Sequence, residues 1–140
     1  MLVVKTKIGP SKIDGIGLFA AQPIPKGTVV WKYDPGIDRL LSEEEVTRLA
    51  KPIQERFHNY AFFDTKYSKY MFCGDDGRFF NHSDTPNCDD GKEDITIALR
   101  DIREGEELTV DYRSFYGNIE DHKEIQKEMS SVSHVPDLAS

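Results

Sequence analysis

The close spacing of its turn signals limits this chain's possible folds more than any other feature. Gly9-Pro10, Gly15-Ile-Gly17, Pro23-Ile-Pro-Lys-Gly27, Gly74-Asp-Asp-Gly77 and Arg103-Glu-Gly-Glu106 cut the sequence before any apolar run grows long. Glycine admits positive φ and proline removes a hydrogen-bond donor, so such clusters end regular elements. Between them lie short segments rich in β-branched and aromatic residues: Leu2 to Ile8, Leu18 to Ala21, Thr28 to Tyr33, Tyr67 to Cys73, Asp94 to Leu99 and Glu107 to Tyr112. These read as strands. In the last of them Leu108, Val110 and Tyr112 alternate onto one side. Gly74-Asp-Asp-Gly77 carries a hairpin signal.

Helical signals concentrate in the middle of the chain. Ser42-Glu-Glu-Glu45 fits a capping box, and Leu41 and Val46 are spaced for a hydrophobic staple. That helix is expected to stop near Lys51, because Pro52 disfavours helical geometry in the residue before it. A second helical stretch is expected over roughly Ile53 to Phe57, and a terminal helix over 118–129, with a flexible tail at 130–140. The expected fold is mainly β with short helices, a β-rich α+β domain over 1–117 with a helical insert at about 42–64.

Charge narrows the partners. With Lys+Arg 18 against Asp+Glu 25 among 140 residues, the net charge is −7. Contacts to nucleic-acid phosphates need a basic face, so a general DNA or RNA binder is excluded. From composition alone a modest negative charge of this kind serves solubility; it also suits a basic partner such as a lysine-rich peptide. The apolar start is soon followed by Lys5 and Lys7, too short for a secretory core or a membrane span, so a cytoplasmic protein with no membrane partner is expected, secretion into a host remaining open. Cys73 and Cys88 form no C-x-x-C pair and are expected as reduced, buried thiols.

Three segments carry chemistry. Lys12-Ile-Asp-Gly-Ile-Gly-Leu-Phe-Ala20 contains a G-x-G turn where backbone groups approach a ligand without side-chain clash. It lacks the third glycine and following helix of a dinucleotide site. Arg78-Phe-Phe-Asn-His-Ser-Asp-Thr-Pro-Asn87 sets two polar groups, expected in a loop, beside apolar walls. Glu106-Glu-Leu-Thr-Val-Asp-Tyr112 ends a strand in tyrosine. Alone, each has an ordinary reading: a hairpin turn, a hydrogen-bonded core histidine, a half-buried phenol. His58, His82, His122 and His134 show no metal-ligand spacing.

Together and in this order, with Tyr60-Ala-Phe-Phe-Asp64 upstream, these segments resemble the SET-domain family of protein lysine methyltransferases over roughly residues 3–117. The resemblance implies a β-clip-like fold of small sheets around a C-terminal pseudo-knot. It implies S-adenosylmethionine as cofactor, S-adenosylhomocysteine as product, and direct in-line transfer to a protein lysine entering through a narrow channel. The implied alternative is a non-catalytic SET-fold module that binds a protein partner. By resemblance, the backbone of Ile16 and Gly17 holds the amino-acid end of the cofactor, and Asn81 contacts its amino group. The His82 backbone lies near its adenine, Tyr60 and Arg78 line its site, and Tyr112 is the catalytic tyrosine. Phe115 or Tyr116 covers the adenine. Many family members bind zinc through a cysteine after Asn-His-Ser and further cysteines past the tyrosine. This chain has Asp84 at the first position and no cysteine after Cys88, so no metal is expected. The 118–129 segment, or the second subunit of a homodimer, would then close the lysine channel. Val110 stands where some members carry an aromatic ring that influences how many methyls are added, with Tyr70 as a substitute candidate.

Overall fold

The computed structural model describes residues 1–64, 67–92 and 94–112, so Phe115, Tyr116, the 118–129 helix candidate and the 130–140 tail lie outside the described residues. Strands β1 (Thr6–Pro10) and β2 (Ile16–Ala20) form an antiparallel hairpin. The first strand therefore begins later than expected and continues through Gly9-Pro10, while Gly17 lies inside β2 rather than in the turn. The reversal is made instead by residues 11–15. Ser11 N–H donates to the Gly15 carbonyl at 2.9 Å, its hydroxyl accepts from the Ile13 amide at 2.9 Å, and Gly15 takes φ +48°. Pro10, with no N–H to offer, is tolerated at the end of a strand with only one neighbour.

Strand β3 (Val29–Lys32) lies where the Thr28 to Tyr33 run predicts it. Strand β4 (Arg39–Leu41) leads into helix α1 (Glu43–Thr47), capped by Ser42 Oγ accepting from the Glu45 amide at 3.1 Å. Helix α1 stops short of the expected end, and α2 (Lys51–Tyr60) starts with Pro52 in its first turn, where a missing N–H costs nothing. Proline here opens a helix of ten residues, longer than the expected stretch. The final residues of the expected helical insert form strand β5 (Phe62–Asp64), which pairs with β6 (Lys69–Phe72) in the sheet order β4-β6-β5. Val46, Phe57 and Ala61 tie the helices to this sheet, with Phe57 stacked on Phe72 at 5.3 Å between centroids.

Gly74-Asp-Asp-Gly77 does not make a hairpin. Asp75 accepts from the Gly77 amide at 3.0 Å and caps a 3-10 turn over Asp76–Phe79. This side-chain bond offers the backbone an alternative to a strand reversal. The turn leads into β7 (Asn81–His82), a short strand where a loop was expected. Strands β8 (Cys88–Lys92) and β9 (Ile95–Ala98) complete a sheet of order β3-β9-β8. The last strand, β10 (Thr109–Val110), runs parallel to β7, with Asn81 opposite Thr109 and His82 opposite Val110.

The main core joins Leu18, Ile24, Val30, Ile102, Leu108 and Val110 with Phe79, Cys88 and Ala98. Burying each of the larger aliphatic side chains contributes about 1.5–3 kcal/mol. Tyr60, Phe80 and Tyr112 are half-buried and pack on this core. It is the floor beneath the residues singled out from sequence.

Candidate active site

The site is held where the two chemical motifs meet. Residues 81–87 are bonded at both ends to 107–112. At one end β7 pairs with β10, and Ser83 N–H donates to the Val110 carbonyl at 3.0 Å. At the other, Asn87 is buried and replaces a ladder with its side chain. Its Oδ1 accepts from the Thr109 amide at 2.9 Å and its Nδ2 donates to the Glu107 carbonyl at 2.8 Å. This arrangement is compatible with the knot-like crossing that the resemblance implies.

Three groups of side chains result. In the first, Asn81 Nδ2 donates toward Glu107 Oε2 at 2.9 Å, Ser11 Oγ at 3.1 Å, the Asp14 carbonyl at 3.1 Å and the Ile16 carbonyl at 3.4 Å. This brings Asn81 to the Ile16 carbonyl, beside Gly17. In the second, Tyr112 donates its hydroxyl to the Phe80 carbonyl at 2.7 Å, and its main-chain N–H donates to His82 Nδ1 at 3.0 Å. An accepting Nδ1 leaves the His82 proton on Nε2, which faces Asp84 Oδ1 at 3.0 Å. In the third, the Arg78 guanidinium lies 4.9 Å from the Phe79 ring centroid and 5.9 Å from that of Tyr60. Tyr60 meets Phe79 edge-on at 5.4 Å.

Ser11, Glu107 and Asn87 hold the site together in ways that their sequence patterns do not announce. A Ser-x-x-Asp-Gly turn gives a weak signal for Ser11, while Asn87 is foreshadowed by the preceding proline. Tyr70 packs against Phe57 and Phe63 beside the helices, at 6.1 and 5.4 Å. Among the described residues, no three His, Cys, Asp or Glu side chains are arranged to hold a metal ion. Burial pushes the Cys73 thiol up and the Cys88 thiol up to about 12, so neither supplies a thiolate at neutral pH. No described helix is long and apolar enough to cross a membrane.

A family model described as "SET domain" matches residues 15–113. The chain belongs to the SET-domain family. Human "Histone-lysine N-methyltransferase 2D" is 34% identical over 113 residues, covering 74% of this SET-domain chain and 2% of the relative. "Histone-lysine N-methyltransferase, H3 lysine-4 specific" from Schizosaccharomyces pombe is 36% identical over 114 residues, covering 75% and 12%. "N-lysine methyltransferase KMT5A-A" from Danio rerio is 33% identical, covering 70% and 32%. The chain thus spans from 2% to 32% of the length of these relatives. Among solved structures, Chaetomium thermophilum Polycomb Repressive Complex 2, as a humanized mutant bound to the inhibitor GSK126, superimposes with TM-score 0.59 at 25% identity, covering 82% of this chain and 16% of that one. Autoinhibited ctPRC2 bound to S-adenosylmethionine gives TM-score 0.60 at 23% identity, covering 89% and 17%, a likeness of SET fold.

Proposed function

We propose that this chain transfers a methyl group from S-adenosylmethionine to the side-chain amine of a lysine in a protein, by direct in-line displacement, releasing S-adenosylhomocysteine. The observation that carries the reading is Tyr112, whose hydroxyl proton is engaged by the Phe80 carbonyl at 2.7 Å within a SET-family chain. That bond fixes the direction of the phenol O–H.

The residues suit the cofactor. The Asp14 and Ile16 carbonyls and the Glu107 carboxylate all accept from Asn81 Nδ2, which turns the amide oxygen of Asn81 outward as an acceptor suited to a cationic amino group. When bound, S-adenosylmethionine supplies an electrophilic methyl on a cationic sulfur. The chain's part is to orient and dry the amine. Lysine has an ordinary pKa near 10.4, so presenting it uncharged at pH 7 costs roughly 4–5 kcal/mol. Aromatic walls lower that cost by disfavouring the ammonium, and Phe80 and Tyr112 lie together beside the core. The Tyr112 oxygen, with nearby carbonyls, orients the amine and contacts the polarised methyl through weak C–H···O bonds. Alignment is the larger effect, because near-attack geometry removes much of the entropic barrier.

A basic protein is the proposed substrate, supported by the net charge of −7 and by relatives named for histone lysines. Free, buried Cys73 and Cys88 suit a reducing compartment such as the cytoplasm.

The test is to incubate the protein with labelled S-adenosylmethionine and a panel of basic proteins, then map the modified residue by mass spectrometry. Tyr112→Phe is expected to lower turnover by tenfold or more while calorimetric affinity for the cofactor stays within about twofold. Tight partner binding without any affinity for S-adenosylmethionine would favour the non-catalytic module instead.

A further inference from the structure

An amide side chain presents two different faces, and at Asn81 the surroundings decide which one looks outward. Every neighbour of Nδ2 is an acceptor: Glu107 Oε2 at 2.9 Å, Ser11 Oγ at 3.1 Å, and the carbonyls of Asp14 and Ile16 at 3.1 and 3.4 Å. Turning the amide over would set its oxygen against a carboxylate and two carbonyls. The observed orientation is therefore the only comfortable one, and it leaves Asn81 Oδ1 as the free acceptor. Among the described residues Oδ1 receives no hydrogen bond.

Glu107 is itself immobilised. Its carboxylate accepts from the Ser11 hydroxyl at 2.7 and 2.9 Å through its two oxygens. Its main-chain carbonyl accepts from Asn87 Nδ2 at 2.8 Å, and its backbone bridges to Phe19. A Cβ built on Gly17 would lie 2.7 Å from Glu107 Oε2, so the carboxylate fills the space that glycine leaves open. Ser11 is fixed in turn by accepting from the Ile13 and Asp14 amides at 2.9 and 3.3 Å.

We infer that Glu107, braced by Ser11, is a positioning residue that locks the Asn81 amide with Oδ1 outward and so sets the site's preference for a ligand bearing an ammonium group. The inference rests on the proposed use of S-adenosylmethionine, whose amino-acid end carries that group. Glu107 acts through Asn81 and is not itself a catalytic residue. Glutamine at 107 has the same shape but brings an N–H₂ of its own. It removes the carboxylate's share of the penalty on the turned-over amide, while the Asp14 and Ile16 carbonyls keep theirs, so Asn81 shows a donor to the cation more often.

The test compares two ligands by calorimetry. S-adenosylhomocysteine carries the ammonium; 5′-methylthioadenosine keeps the nucleoside thioether and lacks the amino-acid end. Glu107→Gln is expected to weaken S-adenosylhomocysteine tenfold or more and 5′-methylthioadenosine less than twofold. Ser11→Ala is expected to show the same selectivity at severalfold, and it carries the test if Glu107→Gln is unfolded at the assay temperature. Unchanged S-adenosylhomocysteine affinity in a folded variant, or equal loss for both ligands, overturns the lock. A wild-type chain that binds neither ligand overturns the methyltransferase reading, a distinct result.

Discussion

The main-chain N–H of Tyr112 donates to Nδ1 of His82 at 3.0 Å, so the imidazole holds the backbone of the residue proposed for catalysis. The ring's other nitrogen faces Asp84 at 3.0 Å. His82→Ala should leave the amide without its partner and cost about 1 kcal/mol of stability, with a larger loss of methyl transfer. In asparagine, Oδ1 stands roughly where Nδ1 stands in histidine and also accepts. His82→Asn should therefore recover more transfer than His82→Ala. Equal activity in the two variants, measured side by side, would show that the hydrogen bond does not position Tyr112.

Asn87 substitutes for a missing ladder by bonding the Thr109 amide and the Glu107 carbonyl from a buried position. Removing it leaves both backbone groups without partners, at about 1–3 kcal/mol each. Asn87→Ala should thus lower the urea midpoint by an amount equivalent to about 2–6 kcal/mol with an unchanged slope. A loss under 1 kcal/mol would mean that water replaces both bonds.

Two glycines should be destabilised to different degrees by one added methyl. At Gly74 a Cβ would sit 1.9 Å from the Ile37 carbonyl oxygen, so Gly74→Ala must displace backbone. Gly15 has φ +48° and open space around a built Cβ, so Gly15→Ala meets only the left-handed penalty of about 1–2 kcal/mol. Thermal melts should show Gly74→Ala as clearly the worse variant.

Burial pushes the Asp90 carboxyl up to about 7 from its ordinary value near 3.8, although the Thr96 hydroxyl donates to it. Between those values the folded chain keeps a proton that the unfolded chain has released. Stability should therefore fall as pH rises from about 4 to about 7, then level off. Asp90 keeps part of its surface in water, which points to the lower end of the effect. Asp90→Asn should flatten this dependence and raise the melting temperature more at pH 8 than at pH 5. A steeper fall above pH 5 in the variant would assign the titration elsewhere.

The motifs named the site because its side chains sit in local patterns. Asn81, His82 and Tyr112 were identifiable from residue type and order, and so was the capping serine of α1, where one side-chain bond fixes the local geometry. What escaped was non-local. The partner of Asn81 across the fold is Glu107, and the residue bracing Glu107 is Ser11, a separation of 96 positions that no periodicity reports. Strands β4 and β8 were missed because Arg39-Leu-Leu41 is too short to alternate, and Cys88-Asp-Asp-Gly-Lys92 has the composition of a turn. Their partners β6 and β9 make them strands, since tertiary pairing overrides weak propensity. Pro52 opens α2 rather than ending α1, because in the first turn its missing N–H has no intrahelical partner to lose.

The parallel pair β7–β10 is two residues long on each side, and its members come from distant parts of the chain. So brief a ladder has no autonomous existence; it persists only while the remainder of the domain presses it together. Ligand capture and cooperative unfolding should accordingly share a single transition, so that mild heating extinguishes binding and global structure at one temperature instead of loosening the site beforehand.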